Sequence, residues 1–557
     1  MKEIINIQLT TDNGVKNISA DKGVKLYELA EKYYESEEGF IPVLGKVDGE
    51  NRDLLYGLKK SCSIEFLDMR SRLARLTYQR TVYFLYLIVL SEMMPEASAT
   101  VRYPLNDGIL VRLDRDIEDQ VAFYARVEMR MRQLVSEKIM FSRKHYTRQE
   151  ILSDDPPAGM TADQIEFVKN SDVEEAFEYS YGEFSRIFYE PLMQSSENLS
   201  LFDLVPYGKG LIIRVPQLEN PNHLPSYRDH RILYKSYDNM SKWRELLGVT
   251  YMNDLNRKIE NGEWHDLILI NEAMHEKMIA EAADRIVKEG KRIVLIAGPS
   301  SSGKTTFAQR LCIQLRVLGK KPLYMGTDDY FVERNMLVPD ENGKFNFEDL
   351  EAVDVNLFNE HMNALLAGEV VDMPVFDFIT GSKRYGTRIT QADADQPIVI
   401  EGIHALNDKL TENIDEKEKF RIYISPLTSL NIDADNRIPV TDIRQLRRMA
   451  RDMRSRGRSP QDTIEGWYDV RIGETKNIFP YCGHADLMFN SSFMYELAVI
   501  RPIIEEGLEA ISPESSAYLE AQRLLRILKT VKPLTDTSTV SNNSIMREFI
   551  GGGIWVK

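Results

Sequence analysis

Residues 291–315 read KRIVLIAGPSSSGKTTFAQRLCIQL, and this stretch limits the fold more than any other. Ile293 to Ala297 form a short apolar run of the kind that makes a buried strand. GPSSSGKT (298–305) follows at once and fits GxxxxGK[ST] without a gap, after which Phe307, Leu311 and Leu315 recur at helical spacing. A strand, a Gly-rich loop and a helix in immediate succession predict a doubly wound α/β sheet. The glycines let the backbone bend so that successive N–H groups point inward at phosphate oxygens, and the helix N-terminus adds its positive end. The candidate nucleotide-binding residues are therefore Gly298, Ser300, Ser301, Ser302, Gly303, Lys304, Thr305 and Thr306. Lys304 is expected to reach the β- and γ-phosphates, and the Thr305 hydroxyl to ligate magnesium.

Such a loop announces a nucleotide without naming a reaction, so the discriminating residues lie further on. PLYMG ends in Thr327, Asp328, Asp329, Tyr330 and Phe331. An acid at the carboxyl end of a neighbouring parallel strand sits in the ligand crevice, where it can accept the proton of an attacking hydroxyl. Capping a helix or turn is the alternative role for Asp328. QPIVI then delivers Glu401, Gly402, Ile403 and His404. Glu401 suits a direct or indirect magnesium role, whereas a histidine so placed is more often a packed or hydrogen-bonded neighbour. In RQLRRMARDMRSRGR (444–458), Arg444, Arg447, Arg448 and Arg451 are three and four apart and share a helical face. Arg456 and Arg458 follow around Gly457, where the helix can end. Alone, that face is as readily solvated as functional. Beside a phosphate loop it reads as a lid whose guanidinium groups close on transferring phosphates.

With 557 residues the chain is long enough for two to four domains, and 43 % hydrophobic with 28 % charged residues is ordinary globular material. Lys plus Arg is 70 against 86 Asp plus Glu, a net charge of −16, which disfavours non-specific nucleic-acid binding while leaving room for a local basic patch. Cys62, Cys312 and Cys482 are too far apart for a metal-ligand spacing or a disulfide framework and suit a reducing cytosol. The N-terminus lacks the apolar core of a signal peptide, and VYFLYLIVL (82–90) is too short to span a bilayer, so a cytoplasmic protein without membrane contact is expected. Self-association into a homo-oligomer stays open.

Ahead of the loop, EIINIQLT, an Asp-Asn-Gly turn and VKNIS predict a hairpin. LYELAEKYY is helical in period, and VLGKVDGE and CSIEFL are strand-like around a Gly turn. This strand–strand–helix–strand–strand order resembles the TGS domain, a β-grasp module at the front of threonyl-tRNA synthetases, which implies an interaction platform. A helix is expected over 116–138 with Ile117, Val121, Tyr124, Val127, Met131 and Val135 on one face. Another is expected over 267–289 with Leu269, Ala273, Ile279, Ala282 and Ile286 together. The segment from LTYQRTVYFLYLIVL to GLIIRVP is similar to the editing-associated second domain of those synthetases. That family's editing site uses an HxxxH pair and a later Cys/His pair. Here Gln79 and Tyr83 fall at the two histidine positions, no histidine precedes His145, and no cysteine lies between Cys62 and Cys312. A scaffold without hydrolytic editing is expected, and tRNA or rRNA contact by this half stays open.

The segments GPSSSGKTT, MGTDDYF, GKFNFEDLEAVD, VVDMPVFDFITGSKR, VIEGIHAL and RQLRRMARDMRSRGRSPQD together resemble the uridine–cytidine kinase and phosphoribulokinase group of P-loop kinases, in family order. The resemblance implies an ATP- and Mg2+-dependent kinase acting on a nucleoside 5′-hydroxyl, with Asp328 as the base. It places Glu348 on the ribose hydroxyls, Arg451 and Arg456 toward the nucleotide, and Arg448 and Arg458 toward the substrate. Two base-recognition positions depart from the family: where it has Tyr and His, this chain has Phe376, which can stack on a base but not donate a hydrogen bond, and Gly381. Lost polar contacts to a base edge remove the groups that reject wrong bases, which leaves pyrimidine preference open. The expected division is a β-grasp module over 1–68, a degenerate α+β synthetase-like domain over 69–265, a P-loop kinase domain over 266–512 and a C-terminal helix and tail over 513–557. The competing readings are a kinase for a sugar phosphate or vitamin, and an RNA-binding regulatory ATPase.

Overall fold

The computed structural model describes residues 3–36, 40–333, 336, 349–377, 380–427 and 430–555. The front of the chain forms a five-stranded sheet. Strands β1 (Ile4–Thr11) and β2 (Gly14–Asp21) make the expected hairpin, followed by helix α1 (Leu26–Tyr33), β3 (Leu44–Val47), β4 (Glu50–Arg52) and β5 (Cys62–Leu67). The order is β2-β1-β5-β3-β4, with β1 and β5 parallel. Alternation sends Ile5, Ile7 and Leu9 to one face, where Leu26, Leu29 and Ala30 of α1 cover them. The VLGKVDGE stretch makes two strands rather than one. Asp48 and Gly49 both take positive φ, the geometry of a tight two-residue hairpin turn, so Glu50 folds back onto Val47.

Helix α2 (Arg72–Met93) carries the apolar run 82–90, every residue of which is at most 3 % exposed. Around it lie β6 (Ala99–Leu105), β7 (Gly108–Leu113), α3 (Gln120–Ser136), β8 (Ser142–Thr147), α4 (Arg148–Ile151), α5 (Ala162–Lys169), β9 (Glu175–Tyr181), β10 (Phe184–Phe188), β11 (Asp203–Pro206) and β12 (Gly210–Arg214). The strands form two antiparallel sheets, β11-β12-β7-β6 and β10-β9-β8. The helix expected over 116–138 starts later, because the Asp119 carboxylate accepts from the Ala122 N–H and caps it there. Val121 then lies in the first turn and is 71 % exposed, and the buried face is Phe123, Tyr124, Val127, Met131 and Leu134. Among the described residues no helix is long and apolar enough to cross a membrane.

Helices α6 (Arg231–Leu247), α7 (Met252–Glu260) and α8 (Trp264–Lys288) lead into the second half. On α8 the buried stripe takes Ile268 and Met274, while Leu269, placed on that stripe by spacing, is exposed. There follow β13 (Ile293–Ala297), α9 (Lys304–Val317), β14 (Leu323–Gly326), α10 (Val355–Leu366), β15 (Val370–Asp372), β16 (Val375–Asp377), β17 (Ser382–Arg384), β18 (Ile389–Gln391), β19 (Ile398–Glu401) and β20 (Lys419–Ser425). The chain continues with α11 (Val440–Ser455), α12 (Pro460–Glu465), α13 (Trp467–Asn477), β21 (Leu487–Asn490), α14 (Glu496–Glu509), α15 (Tyr518–Leu528) and α16 (Arg547–Ile550). The central sheet runs β14-β19-β13-β20-β21 with all neighbours parallel. Both faces are covered, as parallel sheets require. Val294 and Ile296 of β13 pack in one core with Phe307, Leu446 and Ile500, and Ile293 and Leu295 pack in another with Phe358 and Met362. The predicted doubly wound sheet is therefore present.

Candidate active site

The loop after β13 is shaped by two contacts that exclude a side chain. A Cβ on Gly298 would overlap the Ile424 carbonyl oxygen of β20, and one on Gly303 would overlap the Ile545 side chain. Ser301 and Gly303 take positive φ, 60° and 87°, which turns the loop inward before α9 begins. Lys304 Nζ donates to the carbonyls of Gly298 (3.0 Å) and Pro299 (3.3 Å). Ser301, Ser302 and Thr306 are buried.

Strand pairing sets the next residues. β19 lies between β13 and β14, with Glu401 level with Ile296 on one side and Gly326 on the other, so the ends of all three strands meet at one edge. Thr305 Oγ1 donates to Glu401 Oε1 at 2.8 Å, and the Tyr324 hydroxyl donates to the same oxygen at 3.2 Å. Burial, together with that carboxylate, pushes the Tyr324 phenol well above its ordinary value. Past β14 the chain enters a single 3-10 turn, Thr327–Tyr330. Asp329 accepts from Arg388 Nη1 (2.9 Å) and the Phe376 N–H (3.4 Å), and Asp328 is solvent-exposed on the same turn. Phe376 is 5 % exposed and meets Phe331 edge-on at 5.6 Å. Gly381, at φ 69°, donates to the Asp377 carbonyl. Glu348 lies outside the described residues. Its neighbour Asp349 accepts from Lys476 Nζ (2.9 Å) and Asn477 Nδ2 (3.1 Å) at the end of α13. His404 is buried.

The arginine run forms α11 as expected, but its members have separate jobs. Arg447 is wholly buried, with Nε donating to Glu496 Oε2 (2.7 Å) and Nη2 to the Ser491 carbonyl (2.8 Å). Arg448 Nη1 donates to Ser300 Oγ (2.8 Å), and Arg444 Nε to the Ser300 carbonyl (3.2 Å). One buried carboxylate, Asp452, gathers Arg451 (2.8 Å), Arg448 (3.4 Å) and Arg456 (3.6 Å). Three guanidinium groups on one carboxylate leave a positive surplus beside the loop, suited to phosphate oxygens. Arg458 is exposed beyond the helix end.

Two residues at the loop escaped the sequence reading. Glu474 Oε1 accepts from the Ser300 N–H (3.1 Å) and from Arg444, and Oε2 accepts from Arg471 Nη1 (3.0 Å). Its only signal was an ordinary i, i+3 ion pair on α13. Glu548 of α16 accepts from Thr306 Oγ1 (3.2 Å) and is buried, which raises its carboxyl pKa. Glu401 raises it further, while Arg451 and Lys304 oppose. Nothing in the sequence near 548 signals a part in a site that begins at 298.

Among the described residues no group of three His, Cys, Asp or Glu is placed to hold a metal ion. Thr305 and Glu401 nonetheless bring a hydroxyl and a carboxylate together. Those hard oxygen donors fit magnesium, which is held by one or two protein oxygens alongside phosphate oxygens and water.

The sequence pattern of the family described as "Phosphoribulokinase / Uridine kinase family" matches residues 293–497. Uridine kinase of Chloroflexus aurantiacus is 31 % identical over 224 residues, spanning 39 % of this chain and 96 % of its own. Uridine kinase of Halalkalibacterium halodurans is 31 % identical over 227 residues, 39 % of this chain and 98 % of its own. A solved structure described as a possible uridine kinase from Bacillus stearothermophilus is 22 % identical and covers 38 % of this chain and 96 % of itself, with a TM-score of 0.25. With near-complete coverage of relatives above 30 % identity, this chain belongs to the phosphoribulokinase/uridine kinase family.

Proposed function

We propose that the chain transfers the γ-phosphoryl group of ATP to the 5′-hydroxyl of a nucleoside. The observation that carries this reading is the exposed Asp328 at the end of β14, beside a phosphate loop whose Thr305 already meets Glu401. In this mechanism Lys304 leaves the Gly298 and Pro299 carbonyls for the β- and γ-phosphates. Asp328 orients the hydroxyl and takes its proton, and Arg448, Arg451, Arg456 and Arg458 balance charge on the phosphates and substrate. Magnesium, held by Thr305 and Glu401 together with phosphate oxygens, would supply charge neutralisation on the leaving group. Asp329 is a positioning residue: its bonds to Arg388 and the Phe376 amide hold the turn that carries Asp328. Phe376 presents no polar group to a base, which fits a site less strict about the base than its relatives.

The same proposal takes 266–512 as the kinase portion, with 513–557 closing one wall of it, 1–68 as an interaction module and 69–265 as a synthetase-like scaffold. In the last of these, the Tyr83 hydroxyl donates to Asp435 Oδ1 (2.8 Å), and neither Tyr83 nor the buried Gln79 provides a metal-binding imidazole. The test is a phosphorylation panel with the full chain, ATP and Mg2+ across ribo- and deoxyribonucleosides. A 5′-monophosphate from at least one of them is expected. Phosphorylation of ribulose 5-phosphate or pantothenate, with no nucleoside accepted, overturns the reading.

A further inference from the structure

A cavity of about 520 Å³ opens beside the phosphate loop on the side of β20 and β21, within the size range of small-molecule sites. Its walls come from α2, the β6–β7 turn, the segment before α11, and α13. Of the residues described above it shares Arg444, whereas Lys304, Thr305, Asp328 and Glu401 do not line it, so it adjoins the loop without being the catalytic crevice. Among the described residues five arginines line it, Arg75, Arg228, Arg437, Arg444 and Arg471, against two carboxylates, Asp107 and Glu219. Tyr237, Tyr423 and Phe479 add flat apolar wall.

Arg444 and Arg471 share Glu474, and Asp442 pulls on Arg437, so among the described residues the five cations outnumber the carboxylates around them. Among the described residues, Arg75 Nε is buried without a hydrogen-bond partner. Burial, with Arg72, Arg437 and Arg471 nearby, pushes the Arg75 guanidinium down to about 10, and Glu219 only partly opposes this. Burial, with Arg80 adding, pushes Arg437 down to about 10 against the pull of Asp442. Both stay charged at pH 7, so the cavity holds a standing excess of positive charge away from bulk water. Planar guanidinium forks match phosphate oxygens, and flat rings match a base or similar ring.

We propose that this cavity is a second anion site, taking a small molecule that carries phosphate groups. The site has a direct line to the phosphate loop. Glu474 accepts from Arg471 and Arg444, both of which face the cavity, and with the same carboxylate holds the Ser300 N–H. An anion that draws Arg471 and Arg444 toward itself changes what Glu474 holds, and so couples occupancy here to nucleotide binding. That coupling is reciprocal. None of this depends on which alcohol the kinase phosphorylates.

The test is calorimetric titration of the full chain with tripolyphosphate. Two binding events are expected in the wild type. Lys304→Ala removes the one at the loop and keeps the other, whereas Arg437→Gln keeps the loop's and weakens the other at least about tenfold, the scale of one lost charge-assisted contact. A single event that vanishes in Lys304→Ala and is untouched in Arg437→Gln overturns the proposal. Circular dichroism checks folding. If Arg437→Gln fails to fold, Arg228→Gln on the exposed rim is expected to weaken the second event several-fold, and no change there overturns the proposal. Binding of an RNA oligonucleotide at this face, with no second tripolyphosphate event, overturns it as well.

Discussion

The two flanks of the phosphate loop carry opposite charge. Toward β14 and β19 stand acids: Glu401 held by Thr305 and Tyr324, Asp329 held by Arg388, and the exposed Asp328. Toward β20, α11 and α13 stand guanidinium groups that outnumber their carboxylates, with Arg444 and Arg471 on Glu474, and Arg448, Arg451 and Arg456 on Asp452. Interleaved, these charges would pair and cancel. With the excess of each sign kept on its own side of the loop, the two do not cancel, in surroundings where electrostatic interactions are stronger than in water. In the proposed mechanism, proton removal and metal binding belong to one flank, and phosphate neutralisation to the other.

Substitutions break or sharpen that contrast by degrees. Lys304→Ala, at the divide, is expected to lower turnover by about 10²–10³-fold and to weaken ATP binding as well, read from initial rates and calorimetry. Asp328→Asn is expected to cost about a hundredfold in turnover with ATP affinity nearly intact. An equal loss of ATP binding would move Asp328 to the nucleotide and erase the contrast. Glu401→Gln is expected to raise the magnesium concentration for half-maximal activity by about tenfold, measured by metal titration after chelation. The smallest effect is expected at Glu548. Its carboxyl pKa lies above the ordinary value, so it gains charge as pH rises through that raised value, and the charge repels incoming phosphates. Wild-type ATP affinity, read by calorimetry across a pH series, is therefore expected to strengthen as pH falls through that raised value, while Glu548→Gln gives a flatter profile.

Much of this centre is legible in the sequence because its chemistry sits at the ends of apolar runs. IVLIA, PLYMG and QPIVI announce strands, and strands that pair in parallel bring whatever follows them to one edge. Thr305 and Glu401 meet for that reason. The Asp329–Arg388 pair, the Glu474 bridge and the Glu548 contact were not legible. Each joins residues distant in sequence, and no local pattern encodes which carboxylate a distant arginine finds. Arg447 illustrates the limit: its spacing matches that of Arg444, Arg448 and Arg451, yet it is buried on Glu496. The exposed Val121 and Leu269 show the same at the level of packing, since a capping aspartate or one turn of rotation moves a residue off the core face.

Ile545 closes over Gly303, and Glu548 over Thr306, from a segment translated long after the loop itself. On the ribosome, then, the phosphate cradle emerges with one wall missing and stays so while the intervening helices and strands are made. A fragment cut at 497, where the family's own pattern stops, would preserve that unfinished state permanently.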